Sequence, residues 1–140
     1  MRLLYPDLSA QALQSLRQIK KQLANCSLDS KLVALTYLRV SQINGCSYCL
    51  KLHSRELRAL GETQERLDEL AGWHASSVFL PHERTALQWV DSVTHIAQTH
   101  ADDADYEPLA QFFSQQQISD LTMAIVLMNA MNRLAIAMRQ

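Results

Sequence analysis

The sequence predicts an all-helical protein made of a single domain that spans residues 1–140. Its 140 residues are enough for one hydrophobic core, but they include only three glycines and three prolines, too few for the many turns of a sheet-rich fold. Hydrophobic residues make up 48% of the chain, and they recur every three or four positions, as in amphipathic helices. We therefore expect a bundle of about seven helices.

The first two predicted helices follow from a capping residue and from apolar spacing. Ser9 can cap a helix that runs to about residue 25, with leucines and an isoleucine along one side. A second helix is expected over residues 30–43. Gly45 tolerates the left-handed turn that would end it, so a third helix should begin at Cys46.

The third predicted helix carries one continuous stripe and ends at Gly61. The stripe runs at spacings of three and four through positions 46, 49, 53, 57 and 60. A short fourth helix is expected from Thr63 to about Trp73. Pro81 suits the first turn of a fifth helix, which should continue through Ile96.

The last third of the chain should contain a loop, a short helix and one long helix. Acidic residues near 102–105 indicate the loop, and a sixth helix is expected over residues 108–113. Ser114 and Gln117 have the spacing of a capping box, which predicts the start of the final helix. Its most apolar stretch, residues 121–128, is far shorter than a membrane span.

Charge and cysteine content argue against several classes of function. The formal net charge is -1 and no long run of Lys or Arg occurs, so nothing favours a nucleic-acid ligand. Pro6 and Asp7 interrupt the amino-terminal segment before a signal-length apolar run can form. Three cysteines, an odd number, fit a reducing compartment better than a secreted disulfide framework. We expect a cytoplasmic protein without a membrane segment.

The segment from Ser41 to His53 holds the candidate reactive groups. Cys46 and Cys49 lie three residues apart and His53 four residues further on, so a helix places all three on one face. A helix amino terminus favours a thiolate, most strongly at Cys46, and His53 can accept the proton of Cys49. A peroxide that oxidises one thiol would leave a sulfenic acid, which the other thiol converts to a disulfide. Turnover would then require an outside reductant.

Other uses of a CxxC pair are less well supported by this sequence. A structural zinc site needs four ligands, and no second CxxC or HxxxH pair occurs. A disulfide that closes one helical turn would constrain the unfolded chain only slightly. Covalent haem attachment needs a histidine directly after the second cysteine, where this chain has Leu50. Cys26 stands alone, and we leave it out of the site. No metal or cofactor is expected.

The run from Leu38 to Cys49, followed by His53 and by Gly61-Glu62-Thr63, closely resembles the core of the alkylhydroperoxidase AhpD family, within the carboxymuconolactone decarboxylase superfamily. The likeness continues in three further segments, so it covers most of the chain after residue 30: residues 70–73, 83–87 and 132–137. The resemblance implies an AhpD-like orthogonal helical bundle with the CxxC at the amino terminus of a central helix. It also implies a homo-oligomer, either a trimer or a hexamer.

The resemblance further implies a thiol-dependent peroxidase and the roles of its residues. Cys49 would be the peroxidatic cysteine that attacks a hydroperoxide, Cys46 the resolving cysteine, and His53 part of the proton relay. A dithiol protein or a lipoyl-type donor would reduce the disulfide. Members of the family usually carry a relay glutamate twelve residues before the first cysteine, and this chain has Ala34 there.

Three further residues are candidates for the site. Glu83, at the start of the fifth helix, is our candidate substitute for the missing glutamate, although an exposed first-turn carboxylate also complements a helix dipole. Tyr48 stands where the best-studied type of the family has a histidine. Tyr48 and Trp73 could wall a pocket, but aromatic residues are also ordinary core residues.

Two other functions remain open. A redox sensor or disulfide-exchange module with little peroxidase turnover is suggested by Ala34. A non-redox role, either lactone decarboxylation as in other superfamily members or assembly alone, fits poorly because decarboxylases of that group generally lack the paired cysteines. The apolar content favours an oligomer, since one small bundle cannot easily cover so much apolar surface.

Overall fold

Nine α-helices and two short 3-10 helices make up the chain, and the computed structural model describes residues 1–140. The α-helices are α1 (Tyr5–Leu8), α2 (Ala10–Leu23), α3 (Ser30–Asn44), α4 (Ser47–Ala59), α5 (Gln64–Glu69), α6 (Pro81–Thr94), α7 (Ile96–Thr99), α8 (Asp103–Tyr106) and α9 (Gln115–Met138). The 3-10 helices are Leu70–Gly72 and Glu107–Gln111. No strand is present, so the all-helical prediction is confirmed.

Helix α3 lies at the centre of the bundle. Nine of its 15 residues are buried, and it packs against α4, α6 and α9. Asp29 caps it by accepting the backbone N–H of Leu32 at 3.2 Å. Because apolar side chains surround α3, one core cluster forms between it and α2, α6 and α9, and a second forms with α4, α5 and α6. Helix α3 therefore positions both α4 and α9.

The turn between α3 and α4 has the predicted geometry. Gly45 ends α3 in a left-handed conformation with φ of 69°, which glycine adopts at little cost. Cys46 follows directly as the N-cap residue of α4. The first motif cysteine is therefore fixed at the junction of two core helices.

Helix α9 is the longest element, and by length and composition alone it could cross a membrane. In the structure it packs against α2, α3 and α6. Leu121, Ile125 and Met128 point into the main core cluster, whereas Met123 and Val126 are exposed. One face of α9 is therefore part of the core of this domain.

The chain forms three α-helices that were not predicted, α1, α7 and α8, and only α8 has a side-chain cap. Asp102 accepts the backbone N–H of Ala104 at 3.0 Å, and α8 forms where a loop was expected. The predicted fifth helix ends at Thr94, two residues early, and Ile96, which is 53% exposed, begins α7. Helix α1, with Pro6 in its first turn, was not predicted. The predicted sixth helix is the second 3-10 helix.

Candidate active site

The two motif cysteines lie at the start of α4. The sulfur of Cys46 accepts the backbone N–H of Cys49 at 3.4 Å. The two Cα atoms are 5.2 Å apart, and the two sulfurs lie at disulfide-bonding distance. Backbone N–H groups at a helix amino terminus stabilise negative charge, so the same hydrogen bond would favour a thiolate on Cys46 in the reduced pair.

The end of α9 and the first turn of the chain enclose this pair. Cys46 is 1% exposed and Cys49 is 4% exposed, and Ala135 packs against both. The hydroxyl of Tyr5 donates a hydrogen bond to the side chain of Gln140. Both of these residues line the cavity at Cys49, so the two ends of the chain shape it together.

The two cysteines line different cavities. Cys49 and His53 share one of about 210 Å³. Its other walls are largely apolar and include Leu13, Leu52, Met128, Met131, Leu134 and Ala135. Cys46 lines a smaller cavity of about 110 Å³ together with Arg139. Tyr48 is 45% exposed and lines both. Only the cavity at Cys49 includes a histidine that could act as a base.

A carboxylate holds the imidazole of His53. His53 is 2% exposed, and its Nδ1 lies 2.7 Å from Oε2 of Glu56, while Nζ of Lys20 lies 3.0 Å from Oε1. The hydrogen bond with His53, together with the contact to Lys20, lowers the pKa of Glu56 from 4.5 to about 2. Partial burial acts in the opposite direction but is outweighed. An ionised carboxylate can only accept hydrogen bonds, so Nδ1 of His53 carries the proton. Nε2 is then the atom that can accept a proton.

Tyr37 lies beside His53, with 5.4 Å between the ring centroids. Its side chain is buried, and its hydroxyl has no hydrogen-bond partner. Burial, together with the nearby Cys26 and Glu56, raises the pKa of Tyr37 above its ordinary value. The hydroxyl therefore stays protonated and can donate to an acceptor that reaches it.

Glu83 belongs to a separate ion cluster, contrary to our expectation that it would serve the motif. Its carboxylate accepts hydrogen bonds from Arg66 at 2.6 and 3.0 Å and from the backbone N–H of Leu80 at 2.7 Å. Arg66 also binds Glu62 at 2.9 Å. Burial would raise the pKa of Glu83, but these hydrogen bonds outweigh burial and hold the pKa below its ordinary value. Glu83 makes no hydrogen bond to His53, and it is buried rather than exposed.

The two aromatic candidates occupy different surroundings. Tyr48 lines both cavities at the cysteines, as described above. Trp73 is 3% exposed in the second core cluster, and its indole N–H donates to Asp91 at 3.2 Å. Arg39 holds the same carboxylate at 2.7 and 2.8 Å. Trp73 lines neither cavity at the cysteines, so its contacts are those of a core residue.

Glu56 was not among the predicted site residues, although it lies three positions after His53, a spacing that brings side chains together on a helix. Ala34, where the resemblance led us to expect a glutamate, lines a larger cavity that Glu56 also lines. The carboxylate that contacts His53 therefore comes from α4 rather than from α3. No group of three or more His, Cys, Asp or Glu side chains is arranged to hold a metal ion.

The fold and the site together define an AhpD-like helical bundle, with a CxxC pair at the amino terminus of a helix that packs on the central helix. The chain belongs to the carboxymuconolactone decarboxylase family, whose profile matches residues 8–92.

A relative and a solved structure match almost the whole chain. The chain is 28% identical over 137 residues to the uncharacterised protein YdfG of Bacillus subtilis (strain 168), covering 98% of this chain and 93% of YdfG. ATU0492 of Agrobacterium tumefaciens, a protein of unknown function named provisionally as an antioxidant defence protein AhpD, has a TM-score of 0.95 at 34% identity, covering 99% of this chain and 95% of that one.

A more distant structure shows the same fold. An uncharacterised peroxidase-related protein with an alkylhydroperoxidase AhpD core, from Ralstonia eutropha JMP134, has a TM-score of 0.84 at 19% identity. The match covers 97% of this chain and 73% of that one. The helical architecture is thus kept where most of the sequence differs.

Proposed function

We propose that this protein is a thiol-dependent peroxidase that reduces hydroperoxides through a disulfide between Cys46 and Cys49. The observation that carries the proposal is the cavity shared by Cys49 and His53. A thiol nucleophile needs both access for its substrate and a base within reach. Glu56 supports that role because it orients the imidazole from the opposite nitrogen.

In the proposed cycle, the proton of Cys49 passes to Nε2 of His53. The Cys49 thiolate attacks the hydroperoxide, the O–O bond breaks, and Cys49 becomes a sulfenic acid. The leaving alkoxide takes the proton from His53 and departs as an alcohol. The sulfur of Cys46 then displaces the hydroxyl group of the sulfenic acid, which leaves as water with the proton of Cys46, and the disulfide forms. An external dithiol supplies two electrons and two protons and becomes a disulfide itself.

The reductant is proposed to approach through the smaller cavity at Cys46. Thiol–disulfide exchange requires a thiolate to reach one sulfur of the disulfide. The residues around this cavity include Arg139, which is exposed, and Tyr48, which is half-exposed. A dithiol or lipoyl-type group carried by a partner protein is small enough in cross-section to enter a narrow opening. We therefore propose separate entry sites for the oxidant and the reductant.

The proposal is tested by peroxide consumption with dithiothreitol as reductant and cumene hydroperoxide as substrate. Cys49→Ser should abolish consumption because it removes the attacking sulfur. Cys46→Ser should slow turnover, because dithiothreitol must then reduce the sulfenic acid on Cys49 directly. Cys26→Ser is the matched control and should retain activity, since Cys26 lies outside both cavities. Unchanged consumption by Cys49→Ser would reject the proposal.

A redox sensor or disulfide-exchange module is the second candidate. It is favoured by the near-complete burial of both sulfurs and by the methyl group at position 34, where the resemblance implies a glutamate. It predicts a reversible disulfide with a measurable reduction potential, negligible peroxide consumption, and a gain of activity in Ala34→Glu. Rapid turnover by the unmodified protein would exclude it.

We also propose that the protein is a cytoplasmic homo-oligomer, a trimer or a hexamer. Several large apolar side chains are exposed on the single chain, among them Leu8, Tyr106, Phe112, Met123 and Val126. Burying these side chains between copies would remove apolar area from water, and the reduced cysteines of the cycle favour a reducing compartment. Light scattering at micromolar concentration should give the mass of an oligomer, and a monomer would contradict this proposal.

A further inference from the structure

A cavity larger than those at the cysteines adjoins the cavity at Cys49, with which it shares Arg17 and Lys20. It has a volume of about 560 Å³ and is formed by α2, α3, the segment between them, and the end of α4. Neither cysteine lines it, and neither does His53. Its volume falls within the usual range of pockets that bind small organic ligands. Glu56, which orients His53, lines this cavity, but no step of the proposed peroxidase cycle takes place in it.

The walls and the rim of this cavity differ in polarity. Aliphatic side chains form most of the wall, including Leu23, Leu28, Val33, Ala34 and Leu60. The rim carries three cations and one carboxylate: Arg17, Lys20, Lys21 and Glu56. An apolar wall beside charged groups is the pattern that suits an amphipathic ligand.

The charges on the rim are not balanced within the chain. Glu56 is paired with Lys20 and with His53. Arg17 and Lys21 form no ion pair with any carboxylate of the chain. Two cations therefore remain available at the mouth of an aliphatic cavity, and they would attract an anionic head group.

Tyr37 supplies a second, independent indication of a ligand. It lines the same cavity, it is 4% exposed, and its hydroxyl lacks a hydrogen-bond partner. Buried polar groups in folded proteins nearly always have a partner. A ligand with an acceptor atom near Tyr37 would satisfy this hydroxyl, whereas a purely apolar ligand would not.

We propose that this cavity binds an apolar-tailed carboxylate such as a fatty acid, with its tail among the leucines and its head group near Arg17 and Lys21. A nucleotide fits less well, because the wall is aliphatic and Tyr37 is its only aromatic residue. A neutral hydrocarbon would leave the two cations and the Tyr37 hydroxyl without partners. The site goes beyond the peroxidase proposal and does not depend on it.

The test is isothermal titration calorimetry of the oxidised protein with dodecanoate below its micelle concentration. Dodecanoate should bind. Acetate, which has the head group without the tail, should bind at least about tenfold more weakly, and so should dodecyltrimethylammonium, which has a similar tail with the opposite charge. Equal binding of the cationic and the anionic amphiphile would overturn the proposed role of the rim. Because no peroxide or reduction is involved, failure here leaves the peroxidase proposal untouched.

Two variants and a matched control locate the site. Lys21→Glu should weaken dodecanoate binding by about tenfold through charge reversal, whereas the same change at Lys51, exposed on α4 and outside this cavity, should not. Ala34→Leu should block the tail, and a thermal melt checks that this buried variant is folded. Equal weakening by the changes at Lys21 and Lys51 would overturn the proposal. If dodecanoate does not bind and the oligomer dissociates in Lys21→Glu, the proposal is wrong. The cavity would then belong to an interface between copies of the chain.

Discussion

Glu56 and Glu83 are both held as carboxylates by hydrogen bonds, yet their surroundings give them different roles. Glu56 contacts the imidazole of His53, which can take up and release a proton. Glu83 contacts the guanidinium of Arg66, which does not lose its proton in proteins. The comparison shows that a lowered carboxylate pKa is not sufficient to identify a residue of the active site. The partner decides whether the carboxylate can support proton transfer.

The largest effect on stability is expected in the region of Glu83. Arg66→Ala would leave two largely buried carboxylates, Glu62 and Glu83, without a counter-charge, so it should lower the free energy of unfolding by about 3 kcal/mol. Lys20→Ala removes a pair whose side chains are 33% and 36% exposed, so its cost should stay below about 1 kcal/mol. Urea unfolding of both variants measures the difference. Equal losses of unfolding free energy in the two variants would contradict the expected difference between the Glu83 and Glu56 regions.

The largest effect on activity is expected at His53. His53→Gln keeps a polar side chain of similar length but removes the base, so peroxide consumption should fall by about 100-fold. The variant should still form the disulfide when treated with excess oxidant over a long period. Activity within about twofold of the unmodified protein would show that the thiol of Cys49 is activated without His53.

A smaller effect on activity should separate the two glutamates. Glu56→Gln removes the negative charge that orients His53, so peroxide consumption should fall by about tenfold. Glu83→Gln changes a carboxylate bound to Arg66 and should leave the rate per folded molecule unchanged. The measurement is the initial rate at equal concentrations of folded protein. A greater loss of activity in Glu83→Gln than in Glu56→Gln would indicate that Glu83 is the relay carboxylate.

The smallest expected effect is a difference in pH dependence. The pKa of Glu56 is about 2 in the folded protein against an ordinary value of 4.5, so its stabilising contribution is present above pH 4.5 and is lost as the pH falls through about 2. The difference in unfolding free energy between the unmodified protein and Glu56→Gln should therefore shrink between about pH 5 and about pH 3. A difference that stays constant over this interval would contradict the lowered pKa.

The parts of the structure that depend on local spacing were predictable. Ser114 and Gln117 form the expected capping box, with hydrogen bonds of 3.2 and 3.0 Å. Gly45 ends α3, and Cys46, Cys49 and His53 share the buried face of α4, as their spacing predicts. Each of these features is decided by residues within one or two helical turns.

The parts that depend on contacts distant in sequence were not predictable. Glu83 is bound by Arg66, 17 residues earlier, and no pattern in the sequence indicates that pairing. Trp73 packs in the second core cluster and donates its indole N–H to Asp91, 18 residues later. The contact between His53 and Glu56 is different, because a spacing of three residues on one helix itself predicts it.

The most direct test of the proposed chemistry is a thiol count on the fully reduced protein before and after one equivalent of cumene hydroperoxide, with mass spectrometry of the peptide that contains Cys46 and Cys49. The account predicts the loss of two thiols and a peptide lighter by two hydrogen atoms, and a sulfenic acid on Cys49 in the Cys46→Ser variant. Unchanged thiols, or oxidation confined to Cys26, would contradict it.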